Sequence, residues 1–304
     1  MRKLLPYLMI GFGASLWGLI SIFVRTLRDA GFTEMEIVTI RVAFAAIFLL
    51  LIGAIKFRDE LGIELKKIPV FVGTGIFSIV FFNWCYFFTI NQISVSIAVI
   101  LLYTSPAFVA ILSFVFLKEP LHRKKVIAVI GTIGGCFLVA GMSGRGENIT
   151  LLGLLTGLGS GLGYALYSIF GKFALKHYSP FTVTLYTFIV ASLFLLPFSG
   201  VWGKLHILFS PEIFLYSAGL GLVPTVLAYF VYTWGLEKTE SSKAAIIATI
   251  EPVVAMLVGV IIFQEKLGYI QSLGALLILL SVIFVNLPTG MKREVNSALI
   301  QSKK

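Results

Sequence analysis

The sequence predicts an all-α integral membrane protein with ten transmembrane helices, arranged as two inverted five-helix repeats. Three observations predict it. Hydrophobic residues make up 58% of the 304 positions and charged residues 12%, with a mean hydropathy of +0.99, far too apolar for a soluble chain of this length. The stretch Ser96 to Leu121, SIAVILLYTSPAFVAILSFVFLKEPL, recurs 146 residues later without a gap as Ser242 to Leu267, SKAAIIATIEPVVAMLVGVIIFQEKL. Ten apolar segments lie between short polar ones, and five spans per half is an odd number, so the second copy enters the membrane upside down relative to the first.

The first segment, about 4–24, follows the basic pair Arg2 and Lys3. It is longer than the roughly 7 to 15 residues of a secretory signal core and lacks a small-x-small cleavage site. Its Ser21-Ile22-Phe23 returns as Ser168-Ile169-Phe170, so it is expected to be a retained helix. The next four segments lie at about 34–55, 69–90, 93–117 and 124–142, and the second five at about 151–174, 180–199, 211–235, 241–263 and 268–288. Lipid leaves only helices or closed barrels, and no period-2 alternation is visible, so all ten read as helices. The domains expected are a first repeat over 1–142, a second over 151–288 and a polar cytoplasmic tail over 289–304 that reads as disordered. The longest polar stretch between spans, about 56–67, leaves no room for a soluble catalytic domain.

Charge placement orients the chain. With the N-terminus inside, 18 of the Lys and Arg residues fall on inner segments, including Lys56, Lys66, Lys67, Arg123, Lys124 and Lys125. Arg25, Arg28, Arg145, Lys204 and Lys266 fall outside, and Arg41 lies within a span. That bias predicts a multi-pass protein of the cell (plasma or inner) membrane with both termini cytoplasmic. It also accounts for the net charge of +10 without a nucleic-acid partner. Cys85 and Cys136 fall in apolar segments, so no disulfide framework is expected, and His122, His177 and His206 show no metal-ligand spacing. No cofactor is expected, and no Walker motif is present. Asn148-Ile149-Thr150 is a glycosylation sequon on an outer loop that reads as a chance match.

The repeated segment carries the chemistry. Pro106 and Pro252 lack an N–H and crowd the carbonyl four residues earlier, so the carbonyls of Leu102 and Ala248 lose their usual partners. A symmetric pair of broken helices points to a cavity or hinge at the centre of both halves. Glu251, just before the second proline, is about 14 Å into its helix, near the bilayer centre. A carboxylate there costs at least ~2.5 kcal/mol and marks a functional position. Three roles are open to it: binding a substrate amine, carrying a coupling proton, or pairing with Arg41. Its first-half counterpart is Ser105, whereas Glu119 and Glu265 sit at helix ends and read as anchors or caps.

Mid-span aromatic and polar residues are the candidate cavity lining. Gly13, Trp17 and Ser21 share a helix face, as do Asn83 and Tyr86, then Ser160, Tyr164 and Tyr167, and then Thr225, Tyr229 and Tyr232. With Tyr103 beside the first break and Glu251 beside the second, the candidate substrate-binding set is Trp17, Asn83, Tyr86, Tyr103, Tyr164, Tyr167, Tyr229, Tyr232 and Glu251. Small-residue ladders at Gly153, Gly157 and Gly161, at Gly131 and Gly135, and at Ala244, Ala248, Ala255 and Gly259 allow close helix approach. Packing within one chain and a homodimer interface are both compatible with them.

Two five-helix halves, a proline-broken fourth helix ending in KEPL, and the counterpart EPVVAMLVGVIIFQEKL resemble the EamA family of the drug/metabolite transporter superfamily over about residues 5–288. The matched positions are the Arg41 region, Pro106 with Glu119, Glu251 with Pro252, and Glu265 with Gly274; Ala128 departs from the second copy's Gly274. The resemblance implies a secondary carrier, commonly an exporter of amino acids or other small metabolites, with a central cavity lined by both halves. Uptake by the same fold and a non-transporting scaffold or sensor are the alternatives. An intramembrane enzyme is disfavoured because no span contains His and Glu251 and Arg41 are the only deeply placed charges.

Overall fold

The computed structural model describes residues 4–140, 150–266 and 268–287. The sequon residue Asn148, the polar tail expected over 289–304, and Arg2, Lys3 and Arg145 of the charge pattern lie outside the described residues. The described chain is helical, in ten spans: α1 Leu5–Asp29, α2 Glu34–Lys56, α3 Leu65–Ile90, α4 Val95–Leu117, α5 Arg123–Ala140, α6 Leu151–Ala174, α7 Pro180–Phe198, α8 Pro211–Glu237, α9 Ser241–Phe263 and α10 Tyr269–Asn286. Among the described residues nine are long and apolar enough to cross a bilayer; α5 is 18 residues long and opens on the basic run Arg123, Lys124 and Lys125. α1 runs five residues past the expected Val24 and carries Arg25 and Arg28 at its end, where Arg28 pairs with Glu34 at 3.2 Å.

The two halves grip each other crosswise. α1 packs on α8 and α9, and its repeat mate α6 packs on α3 and α4; α2 pairs with α7, and α5 with α10. Each contact has its mirror, as a pseudo-two-fold axis in the membrane plane requires. Because the spans are even in number, the start of α1 and the end of α10 share one end of the bundle, the termini end. The ends of α1, α3, α7 and α9, with the starts of α2, α4, α8 and α10, make the far end.

Four helices depart from regular α geometry in two symmetric pairs, and α1 departs on its own. α4 is broken between Leu102 and Ser105, and α9 at Thr249, so each proline stands in the first turn of a new half-helix rather than in the middle of a kinked one. There the missing N–H is one that the helix would not have used. Thr104 and Thr249 donate at 2.6 Å to the carbonyls of Leu101 and Ile246. α3 carries a π-helical stretch at Gly73–Val80 and α8 one at Leu222–Leu227. The five-residue reach of a π-helix lets the Leu220 carbonyl skip Pro224, and the Thr225 hydroxyl donates to it at 2.7 Å. α1 alone is broken at Gly18–Leu19, while α6 runs straight through the matched Ala165.

The small-residue ladders are used inside the chain. A Cβ on Gly135 would lie 2.8 Å from the Gly274 carbonyl, and one on Gly274 2.6 Å from the Gly135 carbonyl, so α5 and α10 meet backbone to backbone. Gly161 faces the carbonyls of Leu101 and Leu102 at the α4 break, at 2.8 and 3.1 Å from its ideal Cβ. Cys85 and Cys136 are buried and free.

Candidate functional site

One cavity of about 400 Å³ lies between the halves. It starts at the second break, against Glu251 and Pro252, and runs between α1, α2, α3, α4 and α9 to Glu34, Glu265, Lys266 and Gln271 at the far end. Local backbone geometry makes it possible. Gly18, at the α1 break, has no side chain where a Cβ would fall 2.7 Å from Val254 and 2.9 Å from the Glu251 carbonyl, so α1 touches α9 beside the carboxylate.

Of the residues expected from sequence, Trp17, Asn83, Tyr86, Tyr103 and Glu251 line this cavity, together with Arg41. Glu251 is held from behind by Tyr164, whose hydroxyl donates to Oε2 at 2.8 Å. Arg41 is 7% exposed, and its Nε and Nη2 have no hydrogen-bond partner among the described residues. It forms no ion pair with Glu251 within 4.0 Å, so of the three roles open to Glu251 the direct pair with Arg41 is not the one seen. An acidic and a basic side chain therefore line one pocket without a direct ion pair.

Tyr167, Tyr229 and Tyr232 lie a layer nearer the termini end and pack as its floor. The Trp17 ring is 4.9 Å, centroid to centroid, from both Tyr229 and Tyr232, and Tyr229 is 5.0 Å from Tyr167 and from Phe188. The Tyr167 hydroxyl bonds Thr233 at 2.6 Å and that of Tyr232 bonds Ser168 at 2.8 Å, whereas Trp17 Nε1 has no partner among the described residues. Pro106 stands at the first break away from the cavity lining, whereas Pro252 is in it. Sequence reasoning missed Phe82, Met256 and Gly18 as lining; Gly18 beside Trp17 was the available signal.

Below the floor the termini end is closed by charge. Glu119 accepts from the N–H groups of Ser241 and Ser242 at 2.6 and 3.2 Å, and from the Ser242 hydroxyl at 2.7 Å. Lys125, 2% exposed, lies 3.1 Å from Glu240 and 3.9 Å from Glu119, and Lys243 is 3.1 Å from Glu240. Burial alone would raise the Glu240 carboxyl, but Lys125 and Lys243 hold it below its ordinary value.

The model of the EamA-like transporter family matches residues 4–141 and 151–287. The chain belongs to the EamA-like transporter family. An uncharacterized transporter of Archaeoglobus fulgidus is 30% identical over 272 residues, covering 89% of this chain and 92% of the relative. A second from the same organism is 27% identical over 92% of this chain and 98% of its own. The uncharacterized transporter YwfM of Bacillus subtilis is 27% identical over 70% of this chain and 73% of its own. A crystal structure at 18% identity superposes with a TM-score of 0.73 over 91% of this chain and 95% of the other, a likeness of fold. This EamA-family member is thus a multi-pass membrane transporter, and family and relatives point away from an enzyme.

Proposed function

We propose that this transporter is a secondary carrier of the cell membrane, both termini cytoplasmic, that exports small metabolites, amino acids or related compounds, by alternating access around the central cavity. The observation that carries the reading is that Glu251 and Arg41 line one pocket without a direct ion pair, with Nε and Nη2 of Arg41 unpartnered among the described residues. A desolvated charge without a counter-ion is expensive, and a ligand bringing an ammonium to Glu251 and a carboxylate to Arg41 satisfies both at once. Arg41 has the planar donor fork that a carboxylate fits. Phe82, Tyr86 and Tyr103 add aromatic wall for the rest of the molecule.

The distribution of Lys and Arg supports an outward-facing state here, because the cavity reaches the end opposite the termini. The experiment is extracellular metabolite profiling of cells expressing the wild type or Glu251→Gln at equal membrane abundance. Export predicts a wild-type-specific rise in one class of zwitterionic metabolite that the variant loses. A fall in that class outside the cells would instead mean uptake, and no change in any metabolite would refute the carrier reading.

A further inference from the structure

We infer that Glu119 and Glu265 are a pair of exchanging latches: Glu119 locks the termini end by capping α9, and Glu265 locks the far end, when the cavity closes there, by capping α4. The inference rests on the alternating-access reading above and adds the residues that hold each state.

The two glutamates sit on identical backbone. Lys118 and Gln264, 146 residues apart, take left-handed conformations with φ of 57° and 56°, the positive-φ non-glycine residues among those described. In each case the following glutamate returns its N–H to the carbonyl six residues back, Glu119 to Ser113 at 3.1 Å and Glu265 to Gly259 at 3.0 Å. Both helices thus end in the same left-handed turn, its closing bond one residue longer than that of a Schellman motif. A left-handed non-glycine costs energy, so its presence in both copies fixes where the next side chain starts.

Only the side-chain partners differ. Glu119 crosses to the other half and takes the first free N–H groups of α9, where the N-cap residue Glu240 makes no capping bond of its own. A helix start offers unpaired donors and a partial positive charge, so a carboxylate fits it. The same offset maps Ser241 and Ser242 onto Val95 and Ser96 at the start of α4, where the local cap is a long 3.4 Å contact from Ile97 N–H to Ser94. Glu265 is not there. It is exposed, folded toward Gly259 on its own helix, and lines the cavity mouth, while α4 lines the same cavity through Val99, Leu102 and Tyr103. Bringing those two walls together brings Glu265 toward Val95 and Ser96. Making one latch while breaking its mirror image keeps the two states close in energy, as a carrier that cycles requires.

The test uses the full-length protein in cells, with Cys85→Ala, Cys136→Ala and a reporter, Val260→Cys, in the cavity wall near the mouth. A membrane-impermeant maleimide is applied from the far-end side. Adding Glu119→Gln is expected to slow labelling about tenfold, the order of effect when charge-assisted hydrogen bonds are taken from one of two states. Adding Glu265→Gln is expected to leave labelling at the wild-type rate or faster. In a separate chain, Ser96→Cys with Glu265→Cys is expected to cross-link under mild oxidation, and more completely when Glu119→Gln is present. The latch is refuted if the two glutamine variants slow labelling alike, or if the cysteine pair never cross-links while a transported compound is still exported at the wild-type rate. Absence of any transported compound, with the reporter labelled equally in every variant, would refute the carrier reading itself.

Discussion

A single substitution made at two places in α6 separates close packing from helix propensity. Gly161→Ala puts a Cβ 2.8 Å from the Leu101 carbonyl and 2.7 Å from Thr104 Oγ1, where ordinary contact begins at 3.4 Å. The carbonyl belongs to the broken segment of α4 and cannot rotate away, so α6 must retreat by several tenths of an ångström. Gly171→Ala, ten residues on in the same helix, meets only Leu236 Cδ2 at 3.5 Å. Both gain about 1 kcal/mol of helix propensity; only Gly161→Ala incurs overpacking of about 1–3 kcal/mol. The propensity gain cancels in the comparison, leaving Gly171→Ala more stable than Gly161→Ala by about 1–3 kcal/mol. At about 2–4 °C per kcal/mol for a chain of this size, the two melting midpoints should differ by about 5 °C in detergent, with Gly171→Ala above the wild type. Thermal unfolding followed by tryptophan fluorescence measures it. Equal midpoints, or Gly161→Ala above Gly171→Ala, would show that the α4–α6 contact is not the tight one described.

Three further outcomes follow from the geometry. Lys125→Met removes the buried cation shared by Glu119 and Glu240, and should lower stability by about 1–3 kcal/mol, less than for a fully buried pair because Glu240 is partly exposed; a midpoint unchanged within 1–2 °C would refute it. Glu240 has its pKa held below the ordinary value, so its contribution is present at neutral pH and is lost as pH falls through the carboxylate range. The acid side of the stability profile should therefore flatten in Glu240→Gln, and an unaltered profile would argue against the Lys125–Glu240–Lys243 cluster. Tyr164→Phe keeps the ring packed against Trp17 and Phe82 but removes the donor to Glu251, and should weaken transport of the profiled substrate by about tenfold with little change in midpoint; wild-type transport would place Glu251 outside the cycle.

The repeat was legible because it is written in residues with narrow backbone tolerance: Pro106 with Pro252, and Glu119 with Glu265, one gapless offset apart. Depth was legible too, since rise per residue is constant, and it put Glu251 near the middle. Which face of a helix meets open space was not: Tyr229 and Tyr232 pack beneath the cavity rather than in its wall, and every side of α8 meets another helix or lipid, so apolar periodicity says little about it. The π segments of α3 and α8 were hidden for a related reason: one extra residue per turn leaves no compositional mark except Pro224. Lys125 reads as one of three basic residues in a positive-inside cluster, and its burial comes from Glu119 and from Glu240 in the other half of the chain. Arg41 was visible as a charge in a span, whereas its separation from Glu251 is a matter of tertiary placement.

The crosswise grip of α1 by α8 and α9, and of α6 by α3 and α4, bears on how the molecule is made. During synthesis the first five helices reach the bilayer before α8 and α9, the main partners of α1, exist, so Gly13, whose missing Cβ leaves room for the Ala228 carbonyl, lacks its packing partner until α8 arrives. The native core is therefore a late product of insertion rather than the sum of two finished halves. A ribosome that stalls in α7 leaves a chain with its packing faces open to the membrane, and quality control would meet it in that condition. Conversely, the two repeats supplied as separate polypeptides have everything needed to find each other, provided they insert with opposite orientation.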